Sequence, residues 1–185
     1  MSELASSGQL RAAFLRWALV LVPAIVLLGF LSGSVGGSGP GDPWFDSLAK
    51  PGTYPPSATF GIVWTILYAM MGLALAMIVT ARGARRRGFA IAAFVVQLVL
   101  NLAWPPLFFG AHQISWALLL LVALDAAVMV TVMAFYRVRP RAAFLLAPYL
   151  AWVLFATLLN WQFLRLNPDA DGRPSSGAPA VRIEL

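Results

Sequence analysis

The sequence lacks most of the residues with which proteins carry out chemistry. It has no cysteine and a single histidine, His112, which excludes disulfides, thiol nucleophiles, thiolate metal sites and metal sites built from several histidines. Charged residues make up only 11% of the chain, whereas about a quarter of a typical soluble domain is charged. We therefore expect no metal site, no required cofactor and no catalysis by acid–base or nucleophilic side chains.

Hydrophobic residues, by contrast, are in large excess. They make up 61% of the 185 residues, and the mean hydropathy is +0.81. Five apolar runs have about the length of ~20 residues that an α-helix needs to cross a bilayer. These runs cover about residues 12–33, 58–80, 89–109, 115–136 and 142–164. The sequence predicts an all-α membrane protein, a bundle of five transmembrane helices that forms a single domain over residues 1–167.

The two ends of the chain require separate interpretation. The first run has a basic start, an apolar centre and small residues after it, which is also typical of a secretory signal. A cleaved signal therefore stays an alternative to a first membrane span. At the other end, residues 168–185 are polar and predict a flexible tail.

Basic residues predict the orientation in the membrane. With five spans, the N-terminus shares a side with the second and fourth connections, and that side collects nine arginines against four basic residues on the other. The positive-inside rule places the N-terminus in the cytoplasm and the C-terminus outside, together with the long first loop at 34–57. The net charge of +6 is thus a topology signal, which indicates the lipid bilayer as a partner and argues against nucleic acid.

Three of the runs carry aromatic and polar residues at helical spacing, so that each set shares one helix face. An amide that faced lipid would be left unpaired at several kcal/mol, and we therefore expect these faces to turn inward and meet. They would form either a packed core with hydrogen bonds between helices or an aromatic pocket for a small molecule. The residues are Phe60, Trp64 and Tyr68; Gln97, Asn101, Trp104 and Phe108; and Tyr149, Trp152, Ala156 and Asn160.

The first loop favours the pocket over the packed core. Pro51, Pro55 and Pro56 lie within six residues and stiffen the backbone just before the second run. A stiff loop beside the mouth of a cavity is suited to act as a lid. We therefore interpret residues 34–57 as a lid.

Several segments resemble the tryptophan-rich sensory protein family, also called TspO or translocator protein. They are "WFDSLAKP..YPP" in the first loop, "VWTILY" in the second run, "NLAW" in the third and "PYLAWVLFATLLN" in the fifth, and together they cover about residues 42–167. The resemblance implies a five-helix bundle, often dimeric, that binds porphyrins and haem. It also implies binding of sterols and of synthetic isoquinoline-carboxamide or benzodiazepine ligands.

The resemblance further implies which residues bind the ligand. Trp64 and Trp152 match two tryptophans implicated in light-dependent porphyrin breakdown in some bacterial relatives, and they are the candidate redox residues. The implied ligand-binding positions are Phe45, Pro55, Trp64, Tyr68, Asn101, Trp104, Tyr149, Trp152 and Ala156. Three positions depart from the family pattern: Thr53 and Ala58 replace aromatic residues in and after the lid, and Trp161 replaces the tyrosine of a proposed sterol motif. From these departures we expect weaker stacking on a porphyrin and weak sterol recognition.

The leading hypothesis is a receptor-like protein that binds a tetrapyrrole and acts in its regulation or trafficking. The alternatives are an enzyme that degrades porphyrin in light and, less favoured, a transporter of porphyrin or sterol-like ligands. A secondary transporter is disfavoured because the sequence has no inverted repeat and no paired charges within its spans.

Four further residues stand out. Asp125 is an acid in the middle of a span, where it must face the bundle or a subunit interface, either as a structural acid or in a proton or cation step. His112 is expected to be a solvated loop residue, with axial haem ligation as the alternative. Gly88 and Ala92 are small residues four apart, and they predict a homodimer contact through the third span.

Overall fold

The computed structural model describes residues 6–37 and 41–172. Most of these residues are helical and none lies in a strand, and five helices are long and apolar enough to cross a membrane. The predicted fold class, an all-α membrane bundle of five helices, is therefore confirmed for the described residues. The helices are α1 Ser7–Val35, the short α2 Pro43–Ser47, α3 Ser57–Val79, α4 Arg87–Pro105, α5 Ile114–Tyr136 and α6 Pro140–Leu166.

Local capping sets helix ends that the apolar runs did not reveal. The start of α1 lies at Ser7 instead of residue 12, because the Ser6 hydroxyl accepts from the Gln9 backbone and the Gln9 side chain accepts from the Ser6 backbone. Helix α6 starts at Pro140 instead of residue 142. Proline is suited to the first position of a helix because a backbone N–H there would have no acceptor within the helix.

The five long helices form a ring around a shared interior. Helix α1 packs on α3, α3 on α6, α6 on α5 and α5 on α4, and α4 returns to α1. The end of α4 widens into a π-helical turn at Pro106–Gly110, where two successive prolines remove backbone donors. This turn directs Phe108 into the interior beneath the first loop.

Glycines allow α1 to approach its neighbours closely. A Cβ atom added at Gly72 would lie 2.7 Å from the Val22 Cα, and one at Gly29 would lie 2.1 Å from the Tyr68 ring. Both distances are shorter than real contacts allow. Helix α1 is thus a packed member of the bundle, and Gly29 makes room for a tyrosine of the interior.

We expect Gly72→Ala to lower the free energy of unfolding by about 1–3 kcal/mol, because the new methyl group meets the α1 backbone and forces the helices apart. Gly61→Ala in the same helix is the matched control, since a Cβ there meets no atom within 4 Å. That control should be neutral or stabilising, because alanine is the better helix former. Unfolding by denaturing detergent measures both variants, and equal stability of the two would contradict close packing at Gly72.

The first loop lies against the ends of α4 and α6. Asp42 accepts from the backbone N–H groups of Trp44 at 3.0 Å and Phe45 at 3.4 Å, and so caps α2. Trp44 is buried and stacks on His112 with 4.3 Å between ring centroids. His112 lies in the loop between α4 and α5 as expected, but it is half-buried instead of fully solvated, because its ring stacks on Trp44.

The chain after α6 is ordered where a flexible tail was expected. Asp171 accepts from the backbone N–H of Ser115 at 3.1 Å and from the Ser115 hydroxyl, and the N–H of Gly172 donates to the His112 carbonyl at 2.8 Å. Residues 168–172 thus pack on the α4–α5 connection. The rest of the predicted tail, residues 173–185, lies outside the described residues.

Candidate functional site

The interior faces of α3, α4 and α6 meet in a hydrogen-bonded network. The Tyr68 hydroxyl donates to Asn101 Oδ1 at 2.8 Å, and Asn101 Nδ2 donates to the Tyr149 hydroxyl at 3.2 Å. The Tyr149 hydroxyl in turn donates to Gln97 Oε1 at 2.7 Å. All four side chains are buried. The polar faces therefore turn inward, as their helical spacing predicted, and they bond to each other.

Trp64 packs on this network. Its ring stacks on Tyr68 at 5.3 Å and meets the edge of Tyr149 at 6.3 Å. Gln97 Nε2 is buried and has no hydrogen-bond partner among the described residues. The centre of the bundle thus combines aromatic surface with one available donor, and an acceptor on a bound molecule would satisfy it.

A second set of rings runs from the first loop into the bundle. Tyr54 stacks on Phe60 at 5.3 Å, Phe60 meets the edge of Trp152 at 5.8 Å, and Trp152 contacts Phe155 at 5.3 Å. Trp152 Nε1 is buried without a partner in the described part of the chain. These contacts bring the loop, α3 and α6 together on one aromatic path.

Trp152 also forms part of a surface groove between α3 and α6. The groove has a volume of about 460 Å³ and opens at the outer surface of the two helices. It is lined almost entirely by apolar side chains, among them Leu67, Met70 and Pro148. One tryptophan therefore borders both the ring path and an apolar opening in the membrane.

Trp104 belongs to a different cluster. Its Nε1 donates to Asn160 Oδ1 at 3.2 Å, and Asn160 Nδ2 donates to the Ile114 carbonyl at 3.0 Å. The Trp104 ring stacks on Phe108 at 5.0 Å. Its indole N–H is thus already engaged, so that Trp104 offers mainly its ring to any bound molecule.

The first loop is fastened to the end of α6 at two points. Asn167 accepts from the Ala49 backbone at 2.8 Å and donates back to its carbonyl at 3.0 Å. The Thr53 hydroxyl donates to Gln162 Oε1. Residue 53, where the resemblance implies a tryptophan, therefore contributes a hydrogen bond that holds the loop.

Tyr54 supplies aromatic surface beside Thr53. Its ring contacts Phe45, Phe60 and Phe163 at 5.9, 5.3 and 5.8 Å. The other departure, Ala58, lines an open apolar groove of about 450 Å³ beside Phe30. The loop thus keeps aromatic rings on the side that faces the bundle, and at the start of α3 only position 58 lacks the aromatic ring that the resemblance implies.

The predicted ligand-binding residues fall into neighbouring groups. Tyr68, Asn101 and Tyr149 are directly bonded, with Trp64 stacked against them. Phe45 lies in the loop cluster, where Lys50 Nζ lies 4.7 Å from its ring centroid. Pro55 is half-buried just before α3, and Ala156 is half-buried one turn after Trp152. Gln97 lay on a predicted inward face but had no ligand role assigned; its free donor makes it a candidate, and only the packing reveals that.

The fold and the aromatic–amide interior define a multi-pass integral membrane protein of the five-helix bundle class. The chain matches the TspO/MBR family over residues 19–166, and it belongs to that family. It is 45% identical to the translocator protein of Sus scrofa, over 84% of this chain and 92% of the relative. It is 41% identical to the translocator protein of Homo sapiens over 76% and 84% of the two chains. Identity to the tryptophan-rich protein TspO of Chlorobaculum tepidum is 38%, over 81% and 96%.

Proposed function

We propose that the protein binds a planar tetrapyrrole, a porphyrin or haem, between its helices beneath the first loop, and acts as a receptor in tetrapyrrole regulation or trafficking. The observation that carries this proposal is the ring path from Tyr54 through Phe60 to Trp152, with centroid spacings of 5.3 and 5.8 Å. Flat aromatic ligands bind by stacking on such surfaces. The path joins a loop to two helices, so that a macrocycle on it would contact several elements at once.

The few polar groups around the path suit the same ligand. Tetrapyrroles carry carboxylates at one edge and an apolar ring elsewhere. The exposed Lys50 in the first loop would pair with a carboxylate at the membrane surface. The apolar ring would then extend toward Trp64 and Trp152. Sparse polar groups within an apolar wall are the usual composition of a small-molecule site.

Binding in this place requires the first loop to move. The rings of the path now contact one another, and the Asn167–Ala49 and Thr53–Gln162 hydrogen bonds hold the loop on α6. A macrocycle therefore has to separate Tyr54 from Phe60. The loop would act as a lid that closes over the bound ligand.

Titration of the purified protein with protoporphyrin tests the proposal. We expect saturable quenching of tryptophan fluorescence at one porphyrin per chain, because the ligand lies within stacking distance of the tryptophans. Loop release by Asn167→Ala should speed association, since the lid opens more readily. Quenching that rises linearly without saturation, as from random partition into detergent, would count against a site.

Light-dependent porphyrin degradation is the second candidate. The stack of Trp64 on Tyr68 at 5.3 Å, with the Tyr68 hydroxyl donating to Asn101 at 2.8 Å, favours it. In such a step Trp64 would pass one electron to the excited macrocycle, which would pass it on to dioxygen and give superoxide. The Trp64 radical cation would then take an electron from the macrocycle, and combination of the macrocycle radical cation with superoxide would add dioxygen to the ring and return Trp64 to its starting state. Illumination of the porphyrin complex should then yield a new absorbing product, and Trp64→Phe should abolish it. An unchanged spectrum would leave binding as the function.

We also propose the assembly and orientation that the sequence predicts. Gly88 and Ala92 are both exposed on one face of α4, which leaves that face free to pack on a second copy in a homodimer. The arginines of the α3–α4 and α5–α6 connections argue for a cytoplasmic N-terminus. The first loop and the C-terminus would then face outward.

A further inference from the structure

Asp125 is the only acid within the five long helices among the described residues. It is the twelfth of the 23 residues of α5, so about 16 Å of helix separates it from either end. That depth is the centre of a hydrocarbon layer of about 30 Å. The carboxyl group is therefore placed where a charge is most costly.

The carboxyl group of Asp125 contacts a hydroxyl group but no positively charged side chain. Asp125 Oδ2 lies 2.8 Å from Thr157 Oγ1 on α6, and the same Oγ1 lies 3.0 Å from the Val153 carbonyl oxygen. Asp125 Oδ1 is buried and meets no hydrogen-bond partner in the described chain. Neither oxygen therefore contacts a basic group.

The number of protons available for hydrogen bonding shows whether the ionised or the protonated carboxyl group fits this geometry. The Thr157 hydroxyl has one proton and faces two acceptors. If Asp125 is ionised, that proton goes to Oδ2, and Oδ1 remains a buried oxygen sharing an uncompensated negative charge. If Asp125 is protonated, its O–H donates to Thr157 Oγ1 and the Thr157 hydroxyl donates to the Val153 carbonyl. Every proton then has an acceptor, and Oδ1 is a neutral carbonyl oxygen.

We propose that Asp125 and Thr157 form a proton-binding site at the centre of the membrane, in which Asp125 holds a proton at neutral pH. The bound proton makes the α5–α6 contact neutral. Loss of the proton would place a charge in hydrocarbon unless water or a cation entered between the two helices. The site is independent of the tetrapyrrole proposal, because neither residue belongs to the ring path.

Within the described residues, the helices that pack on α5 carry no charged group that could neutralise an ionised Asp125. Helix α4, which packs on α5, has Arg87 at its first residue and no further charge. Helix α6 has Arg141 and Arg165 near its two ends, and Tyr149 between them is the titratable residue closest in depth. Tyr149 already donates to Gln97 at 2.7 Å. The neighbouring helices thus offer no cation at the depth of Asp125.

Difference infrared spectroscopy of the full-length protein in lipid tests the proposal. A protonated carboxylic acid has a C=O stretch above the amide band, and we expect one at neutral pH that disappears in Asp125→Asn. Asp46→Asn, which changes an exposed acid of the first loop, is the matched control and should leave the band in place. Thr157→Val should shift the band because the acid loses its acceptor. A spectrum that Asp125→Asn does not alter, or a band that ignores Thr157→Val, overturns the site.

Carbodiimide labelling of the wild-type chain tests the same site without a variant. A protonated acid adds across one C=N bond of the reagent: its oxygen bonds to the central carbon, its proton moves to nitrogen, and acyl transfer gives a stable N-acylurea. We expect dicyclohexylcarbodiimide to label Asp125, as detected by mass spectrometry of its peptide, and a water-soluble carbodiimide to label Asp46 instead. Absence of the hydrophobic label at Asp125, or equal labelling there by the soluble reagent, refutes the proposal.

Discussion

Asn101→Leu is expected to lower the free energy of unfolding by about 2 kcal/mol, since it removes the centre of the buried network. The buried Tyr68 hydroxyl then loses the acceptor of its proton, and the Tyr149 hydroxyl loses the N–H group that donates to it. Unfolding by denaturing detergent in mixed micelles, followed by circular dichroism, measures the loss. Val99→Ala on the exposed face of α4 is the control and should stay within about 0.5 kcal/mol of wild type.

The double variant Tyr68→Phe/Asn101→Leu separates a lost hydrogen bond from lost packing. With both partners apolar, no donor remains stranded at that contact, and the double variant should be less destabilised than the sum of the two single variants. A coupling of roughly 1 kcal/mol is expected, within the range measured between membrane helices. Strict additivity would show that the 2.8 Å contact between Tyr68 and Asn101 contributes no coupling.

The spans and the inward faces were predictable because they depend on local regularities. Hydrocarbon thickness fixes the number of apolar residues in a span, and helical geometry places Gln97 and Asn101 on one face. Lipid leaves such amides no partner outside the bundle. The inward position of Asn101 follows from these two facts together, whereas its bonds to Tyr68 and Tyr149 are seen only in the structure.

The attachment of the first loop was not predictable in the same way. Ala49 and Asn167 are separated by 118 positions in the chain, and no periodicity relates them. The ordered segment after α6 likewise depends on a contact between Asp171 and Ser115, which are separated by 56 positions in the chain. A polar composition alone predicts flexibility at a chain end. Here the contact between Asp171 and Ser115 orders the segment in spite of that composition.

The sequence also could not decide whether the interior is a packed core or a ligand pocket. The same spacing of Trp64 and Tyr68 suits either one. The structure shows rings and amides in mutual contact, together with buried N–H groups on Gln97 and Trp152 that have no partner in the described residues. Buried N–H groups without a hydrogen-bond acceptor are rare in a well-packed protein core. They are the physical reason to seek a ligand for this interior.

Removal of the two candidate tryptophans should have the largest effect on that ligand. We expect Trp64→Ala and Trp152→Ala each to weaken protoporphyrin binding about 30-fold, which corresponds to the ~2 kcal/mol typical of a buried aromatic anchor. Trp161→Ala is the matched control, because that ring lies 44% exposed on the same helix as Trp152 and should leave the dissociation constant unchanged. Fluorescence titration of the remaining tryptophans gives all three constants.

The pattern among these variants distinguishes the site from its surroundings. If Trp152→Ala weakens binding and Trp64→Ala does not, the macrocycle occupies the groove between α3 and α6, in which Trp152 forms part of the wall. If both weaken it, the ligand lies inside the bundle, because Trp64 packs on the buried Tyr68 and Tyr149. Binding that survives both substitutions but falls with Trp161→Ala would move the ligand to the lipid-exposed face of α6, and the ring path beneath the first loop would then have no part in it.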